Sequence, residues 1–344
     1  MPAPASLEST LTRAWLRRGA LACALWPVSL LFGALSGARR LLYRSGVLRA
    51  DKLPVPVIVV GNIFIGGTGK TPLTIWLAQV LREAGYHPGV ISRGHGAAAS
   101  LARHVNAASD PREVGDEPLL IARRSGCPVV VGRDRVAAGR ALLAANPSVD
   151  ILISDDGLQH YALARDIELM LFDARGAGNG WLLPAGPLRE LATRRRDFTI
   201  VNAPALAPQL AAAVGGQPYR MQLTGACAEP LRAAGQGVPL AALKGKRIVA
   251  AAGIGNPGRF FAMLRGAGLE IGELALPDHH DFLDRPFDAL DADIILITEK
   301  DAVKCEQIEH LKLDPRLWVV PVTAQLDAAL AEQIVEKCRG CPTA

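Results

Sequence analysis

Short apolar runs recur along most of the chain and alternate with stretches in which apolar residues return every three or four positions. The runs at 55–60, 87–92, 128–131, 150–154, 167–172 and 198–201 are rich in Val, Ile and Leu. Continuous apolar character over so few residues is the mark of strands buried on both faces. The spacing between them is helical, beginning with a helix over 72–84, where Pro72 suits the first turn because its missing N–H would be unbonded there anyway. Strands alternating with helices imply a mostly parallel sheet covered on both sides. The pattern weakens over 203–243, which is rich in Ala, Gly, Pro and Gln and offers one or two strands near 219–223. A second α/β unit then starts at 246, with strands at 247–252, 294–298 and 317–322 and a terminal helix over 326–337. The division expected is therefore hydrophobic basic helices over 1–50, an α/β domain over 51–205, a connection over 206–245 and a smaller α/β domain over 246–344.

Composition supports a folded chain of more than one core: 344 residues, half of them hydrophobic. Aromatic residues make up only 5%, which argues against a surface that stacks nucleic-acid bases. The net charge of +5 is concentrated in residues 1–52, where eight Arg and Lys face only Glu8 and Asp51. No basic groove for nucleic acid is implied. Residues 19–38 carry no charge and have arginines on both sides. That length could span a bilayer, but Pro27 and the small residues Ser29, Gly33, Ser36 and Gly37 suit better a helix or helix pair lying in the interface, its arginines on anionic headgroups. A buried N-terminal helix pair is the bland alternative. A cleaved signal peptide is disfavoured, because a nucleotide-type loop follows soon after and the six cysteines form no disulfide pattern. Cys338-Arg-Gly-Cys341 lacks the second half of a zinc site and reads as a reduced tail.

The first chemistry lies after the strand at 55–60. Gly66-Gly67-Thr68-Gly69-Lys70-Thr71 is a phosphate-cradling loop in the order strand, glycines, Lys-Thr, helix. Glycines let backbone N–H groups turn onto phosphates, Lys70 brings a cation to the β- and γ-phosphates, and Thr71 offers a hydroxyl to Mg²⁺. Phe64 stands where the usual pattern has its first glycine. Asp155-Asp156 closes the strand at 150–154, the arrangement that places a carboxylate beside magnesium. The same residues could be turn chemistry alone.

Nucleotide binding does not by itself specify a reaction. Four other clusters bear on it: Gly115-Asp116-Glu117-Pro118, the extension from Asp155 to His160, the stiff loop Pro184–Glu190 ending in Arg189-Glu190, and Pro277-Asp278-His279-His280. Each alone reads equally well as a helix cap, a surface ion pair or a solvated turn. In order along the chain, together with Val60-Gly61-Asn62, Ser92-Arg93-Gly94 and Thr298-Glu299-Lys300-Asp301-Ala302-Val303-Lys304, they resemble the tetraacyldisaccharide 4′-kinases of lipid A biosynthesis. His95, Leu158 and Leu191 depart from residues common in that family. The resemblance implies a P-loop NTPase-like α/β fold, with ATP and Mg²⁺ as cofactors. It implies transfer of the γ-phosphate to the 4′-hydroxyl of a tetraacylated glucosamine disaccharide 1-phosphate. It also implies peripheral attachment to the cytoplasmic face of the inner membrane. No obligate protein partner is evident in the sequence.

Roles follow as expectations. Gly66, Gly67, Thr68, Gly69, Lys70 and Thr71 hold the nucleotide, and Lys70 with the loop amides neutralises developing phosphate charge. Thr71 and one of Asp155 and Asp156 hold the metal. Asp116 is the candidate base, with His279 as its partner across the cleft and His280 as the fallback. Arg189 meets phosphate, Glu190 orients Arg189 or the loop, and His160 contacts substrate or nucleotide. Two competing readings remain. One is a P-loop ATPase that switches at a membrane without phosphorylating anything. The other is dinucleotide binding at Gly253-Ile254-Gly255-Asn256-Pro257-Gly258, with Glu270 and Glu273 downstream. The glycines of that second motif read better as a turn for domain packing.

Overall fold

The computed structural model describes residues 7–94, 102–233 and 235–341; His95 lies outside them. Two helices come first, α1 (Leu7–Ala14) and α2 (Ala20–Arg44). Eight strands follow: β1 (Val57–Gly61), β2 (Pro88–Ser92), β3 (Arg103–Val105), β4 (Val129–Val131), β5 (Ile151–Asp155), β6 (Ile167–Asp173), β7 (Phe198–Asn202) and β8 (Pro218–Thr224). They share one nine-stranded sheet with β15 (Thr323–Leu326), in the order β15-β8-β7-β6-β1-β5-β2-β4-β3. All pairs are parallel except the two edges, β3 on β4 and β15 on β8. Alternate residues of β1 enter opposite cores. Ile58 and Val60 pack with Leu73, Leu77 and Leu81 of α3 (Lys70–Glu83), whereas Val57 and Val59 pack with Leu142, Met170 and Phe172. That two-sided burial is why the strand reads as an unbroken apolar run.

The second sheet has six strands in the order β10-β9-β14-β13-β11-β12. They are β9 (Cys227–Pro230), β10 (Val238–Pro239), β11 (Ile248–Ala252), β12 (Ile271–Ala275), β13 (Ile294–Thr298) and β14 (Leu317–Val320). The strands β12, β11, β13 and β14 are parallel, and β9 and β10 add an antiparallel edge.

Three expectations differ from this architecture. The run at 317–322 holds β14 of the second sheet and ends by 320; after residues 321–322 the chain turns back, and a further strand outside the expected set, β15, lies on the first sheet. The unit expected over 246–344 accordingly ends at β14, and the helix Ala328–Arg339 packs its Leu330 and Ile334 into the first core. The segment expected as a connection, 206–245, supplies strands to both sheets. The chain thus crosses between the sheets at 225–226 and at 321–322. The crossings touch: a Cβ on Gly225 would come within 2.9 Å of Val320 and 3.1 Å of the Pro321 carbonyl. Apolar periodicity cannot separate these cases, because it reports burial and not which sheet does the burying.

Candidate active site

The carboxyl ends of β1, β5, β6, β7 and β2 face one crevice, the usual ligand edge of a parallel sheet. Residues 62–69 follow β1 and are held from several directions. The Asn62 amide donates to Phe64 O (2.8 Å), Gly66 O (3.3 Å) and Thr68 Oγ1 (2.9 Å), folding the loop on itself. Asn202, at the end of β7, donates to Thr68 O (2.8 Å). Gly69 precedes α3 with φ 101°, and a Cβ there would meet the Asn202 amide at 2.5 Å, so both conformation and space require glycine. Lys70 reaches Asn62 Oδ1 (3.3 Å) and Asp156 Oδ1 (3.4 Å).

The two adjacent acids differ sharply. Asp155 is fully buried and accepts from Thr74 Oγ1 (3.2 Å) and Ser92 Oγ (3.1 Å). Burial pushes its pKa up to about 6, with Glu117 and Asp156 adding to the rise and Lys70 offsetting part of it. Asp156 has φ 49°, and its carboxylate lies between Lys70 and the Arg189 guanidinium (3.7 Å). Burial opposes its ionisation, but Lys70 and Arg189 outweigh burial and hold its pKa below the ordinary value. Its Oδ1 is buried and is held by these two ion pairs rather than by a well-formed hydrogen bond. A carboxylate oxygen so placed, beside Lys70, is the kind of donor a divalent cation takes. The oxygens of Asp155, in contrast, are already used.

Asp116 begins α5 (Asp116–Ser125), which follows the one-turn helix α4 (Pro111–Val114). From the second sheet's side, His279 brings Nδ1 to 3.1 Å from Asp116 Oδ2. In the neutral ring Nδ1 donates to Asp116, and Nε2 accepts from Lys300 Nζ at 3.3 Å. Burial would raise the Asp116 pKa. The His279 hydrogen bond and the charges of Lys300, His279 and Lys304 outweigh it and hold the carboxyl well below the usual range. The same hydrogen bond raises the His279 pKa, against the opposing effects of burial and Lys300. A cavity of about 280 Å³ opens here, lined by Arg112, Asp116, His279, Lys304 and Gln307. His280 turns away: its Nε2 faces Asp284 (3.3 Å) and its Nδ1 accepts from Phe282 N.

The segment 298–304 closes the two units on each other. Thr298 caps the helix Glu299–Cys305, and Glu299 pairs with Arg124 of α5. Lys300 bridges Glu117 (3.0 Å) and Asp278 (3.2 Å), and Lys304 stands 3.7 Å from Asp116. Sequence reading missed Lys300 and Lys304 as parts of the site, and also Asn62 and Asn202. Their signal was present only as position: motif lysines on a helix start, and polar residues at the carboxyl ends of strands.

The remaining candidates are placed as follows. Glu190 does not pair with Arg189. It accepts two hydrogen bonds from Arg194 (2.9 Å each) and one from Tyr161 Oη (2.6 Å), so it secures the loop rather than the neighbouring arginine. His160 is partly buried, with Nε2 lacking a partner. Burial and then Arg135 lower its pKa, and Arg135 also feels Asp155 and Asp156. The dinucleotide alternative at 253–258 fails on space. That turn abuts the glycine loop of residues 66–69, and a Cβ on Gly255 would lie 2.6 Å from Gly67 N. Cys338 is buried in the first core and both cysteines of the tail are free thiols. A larger cavity of about 580 Å³ lies between 192–199 and 212–219. It holds none of the motif residues, though Arg194, the partner of Glu190, lines it, and its Arg196 is spent on Ala192, Arg194, Val214 and Gly215 carbonyls.

On α2 only Ala22 and Ser29 are buried. Ser29 Oγ donates to Leu182 O (2.8 Å) and accepts from Ala185 N (2.9 Å), fixing mid-helix to the loop that leads to Arg189. The far side exposes Val28, Leu30, Leu31, Leu35, Leu41 and Leu42.

Comparison with known proteins agrees across nearly the full length. The sequence pattern of the family described as Tetraacyldisaccharide-1-P 4'-kinase matches residues 21–339. The chain is 62% identical to the Tetraacyldisaccharide 4'-kinase of Herminiimonas arsenicoxydans and 63% identical to that of Janthinobacterium sp. (strain Marseille), covering 97% of each chain in both cases. Among solved structures it is similar to LpxK from Aquifex aeolicus, crystallised in complex with ATP. The TM-score is 0.75 at 29% identity, covering 92% of this chain and 99% of that one.

Proposed function

The chain belongs to the tetraacyldisaccharide-1-P 4′-kinase family, and from that membership we infer its reaction. It transfers the γ-phosphate of ATP to the 4′-hydroxyl of a tetraacylated glucosamine disaccharide 1-phosphate, a step of lipid A biosynthesis. The single observation that carries the chemistry is the Asp116–His279 hydrogen bond, formed across the cleft from the phosphate loop's own domain to the second. In our reading Asp116 takes the proton of the 4′-hydroxyl as that oxygen bonds to the γ-phosphorus and the bond to the β-phosphate oxygen breaks, releasing ADP. An acid held so far below the usual range is a weak base for a free alcohol. The reading therefore has the proton move late, when bonding to phosphorus has acidified the hydroxyl. His279 keeps the carboxylate aimed at the cavity. Lys70, Arg189 and the loop amides face the phosphate charge, whose stabilisation contributes most of the rate gain in such transfers.

Magnesium would be held by the Thr71 hydroxyl and Asp156, with Asp155 behind them, and would supply neutralisation of the charge that develops on the transferring phosphate. Glu190 keeps the Arg189 loop in place, and His160 is assigned to the substrate or nucleotide edge.

We also propose that α2 seats the enzyme on the cytoplasmic face of the inner membrane. A spanning helix would carry residue 29 near the bilayer centre, and with it the Leu182 and Ala185 backbone groups pinned there. Lying flat, the helix can present its exposed leucines to acyl chains and its arginines to headgroups. A kinase assay with the disaccharide 1-phosphate in mixed micelles tests the reaction. Phosphate incorporated by the wild type and lost in Lys70→Ala supports it; ATP hydrolysis without incorporation refutes it.

A further inference from the structure

We infer that Arg259, a residue of the second unit, is a positioning residue that presets the phosphate cradle from behind, so that the nucleotide loop is complete only when the two units are docked. Arg259 lies in the helix Pro257–Gly266, directly after the glycine turn at 253–256. Its guanidinium donates to Gly67 O at 2.9 Å and to Thr68 O at 3.4 Å. Within a trans peptide the carbonyl and the following N–H point to opposite sides. Drawing the Gly67 and Thr68 carbonyls toward Arg259 therefore turns the N–H groups of Thr68 and Gly69 the other way, away from the loop's rear face. These are backbone donors of the kind a phosphate loop presents to its ligand. Asn202 grips Thr68 O from the first sheet, so each unit contributes one brace to the same peptide.

The approach depends on glycine at 255: a Cβ there would lie 2.6 Å from Gly67 N, whereas one on Gly67 would meet Gly255 at an ordinary contact distance of 3.5 Å. The same turn also carries the acceptor side, since the His279 backbone N–H donates to Gly253 O (3.1 Å) and Gly253 N–H donates to Asp301 Oδ2 (3.0 Å). One short turn therefore fixes both the rear of the nucleotide loop and the residue that aims Asp116.

This inference rests on residues 66–71 being the phosphate loop. Steady-state kinetics on the full chain, with the acceptor in mixed micelles, tests it. Arg259→Ala is expected to lower kcat/KM for ATP by about tenfold, the loss of a charged donor's hydrogen bonds. The acceptor KM should stay unchanged, and added guanidinium chloride at low, non-denaturing concentration should recover several-fold. A packing defect would not recover in this way. Arg259→Lys, which keeps the charge and loses the two-armed geometry, should fall between. Gly255→Ala should also lower kcat/KM for ATP, and it carries the test if Arg259→Ala does not fold. Wild-type kcat/KM for ATP in Arg259→Ala, or a loss that guanidinium does not restore, overturns the inference. Lys70→Ala run beside these variants separates the two claims. If it keeps wild-type ATP kinetics the loop reading itself fails. If it fails to use ATP while Arg259→Ala is normal, only the brace is wrong.

Discussion

Asp116→Asn removes the proposed base while keeping the volume of the side chain, which is 6% exposed, so no cavity is created. Its neighbours are His279, Lys300, Lys304 and the Glu117 N–H, none of them in residues 66–71. General-base loss costs about 10²- to 10⁴-fold in rate, or about 3–5 kcal/mol at the barrier. We therefore expect kcat to fall by roughly that factor, with the ATP dissociation constant changed by about twofold or less. Rapid-quench measurement of phosphoryl transfer, beside calorimetric titration of ATP, separates the two. Equal losses in ATP affinity and rate would place Asp116 in the nucleotide site and refute the assignment; so would a kcat within about threefold of wild type. A thermodynamic companion follows from the depressed pKa. The folded-state value lies below the ordinary 3.8. The carboxylate thus contributes stability that is present above that value and lost as pH falls through the folded one. Asp116→Asn should flatten the acid-side decline of stability in urea titrations.

Three further outcomes are expected. His279 has a raised folded pKa, so its stabilisation is full below 6.5 and lost as pH rises through the folded value; His279→Gln should therefore destabilise more at about pH 6 than at about pH 9 in urea unfolding, and equal losses would contradict the ion pair. Glu190→Gln leaves Arg194 buried beside only Glu168, and loss of one partner of a buried pair should cost about 3–5 kcal/mol in chemical denaturation. A cost under about 1 kcal/mol would mean that the network is solvated. Leu31→Glu/Leu35→Glu alters side chains 62% and 64% exposed, so thermal stability should hold while flotation with anionic liposomes is lost; retained flotation would remove α2 as the membrane contact.

Much of the fold was legible because burial on both faces leaves an unmistakable local trace. Each strand from β1 to β7, apart from the three-residue edge β3, appears as an apolar run, and α3 begins at the Lys70 that the glycine loop announces. The strand β12 left no such trace, since its Gly272, Glu273 and Ala275 are exposed on an edge. The strand β15 was hidden for the same reason. Its sequence is Thr-Ala-Gln-Leu, with Thr323 and Gln325 exposed on an edge, and only its docking beside β8 reveals it.

What the sequence determined alone are features whose cause is local. The glycines of 66–71 need their backbone freedom whatever surrounds them, Asp155-Asp156 must sit where β5 ends, and the uncharged stretch at 19–38 must find an apolar neighbour. The tertiary structure decided the pairings. It brought His279 rather than His280 to Asp116 across 163 residues of chain, gave Glu190 to Arg194, and turned the 253–258 glycines against Gly67 in place of a second nucleotide. Such partners depend on how one packed unit lies on another, and the sum of contacts over that whole interface has no counterpart in the spacing of residues along the chain.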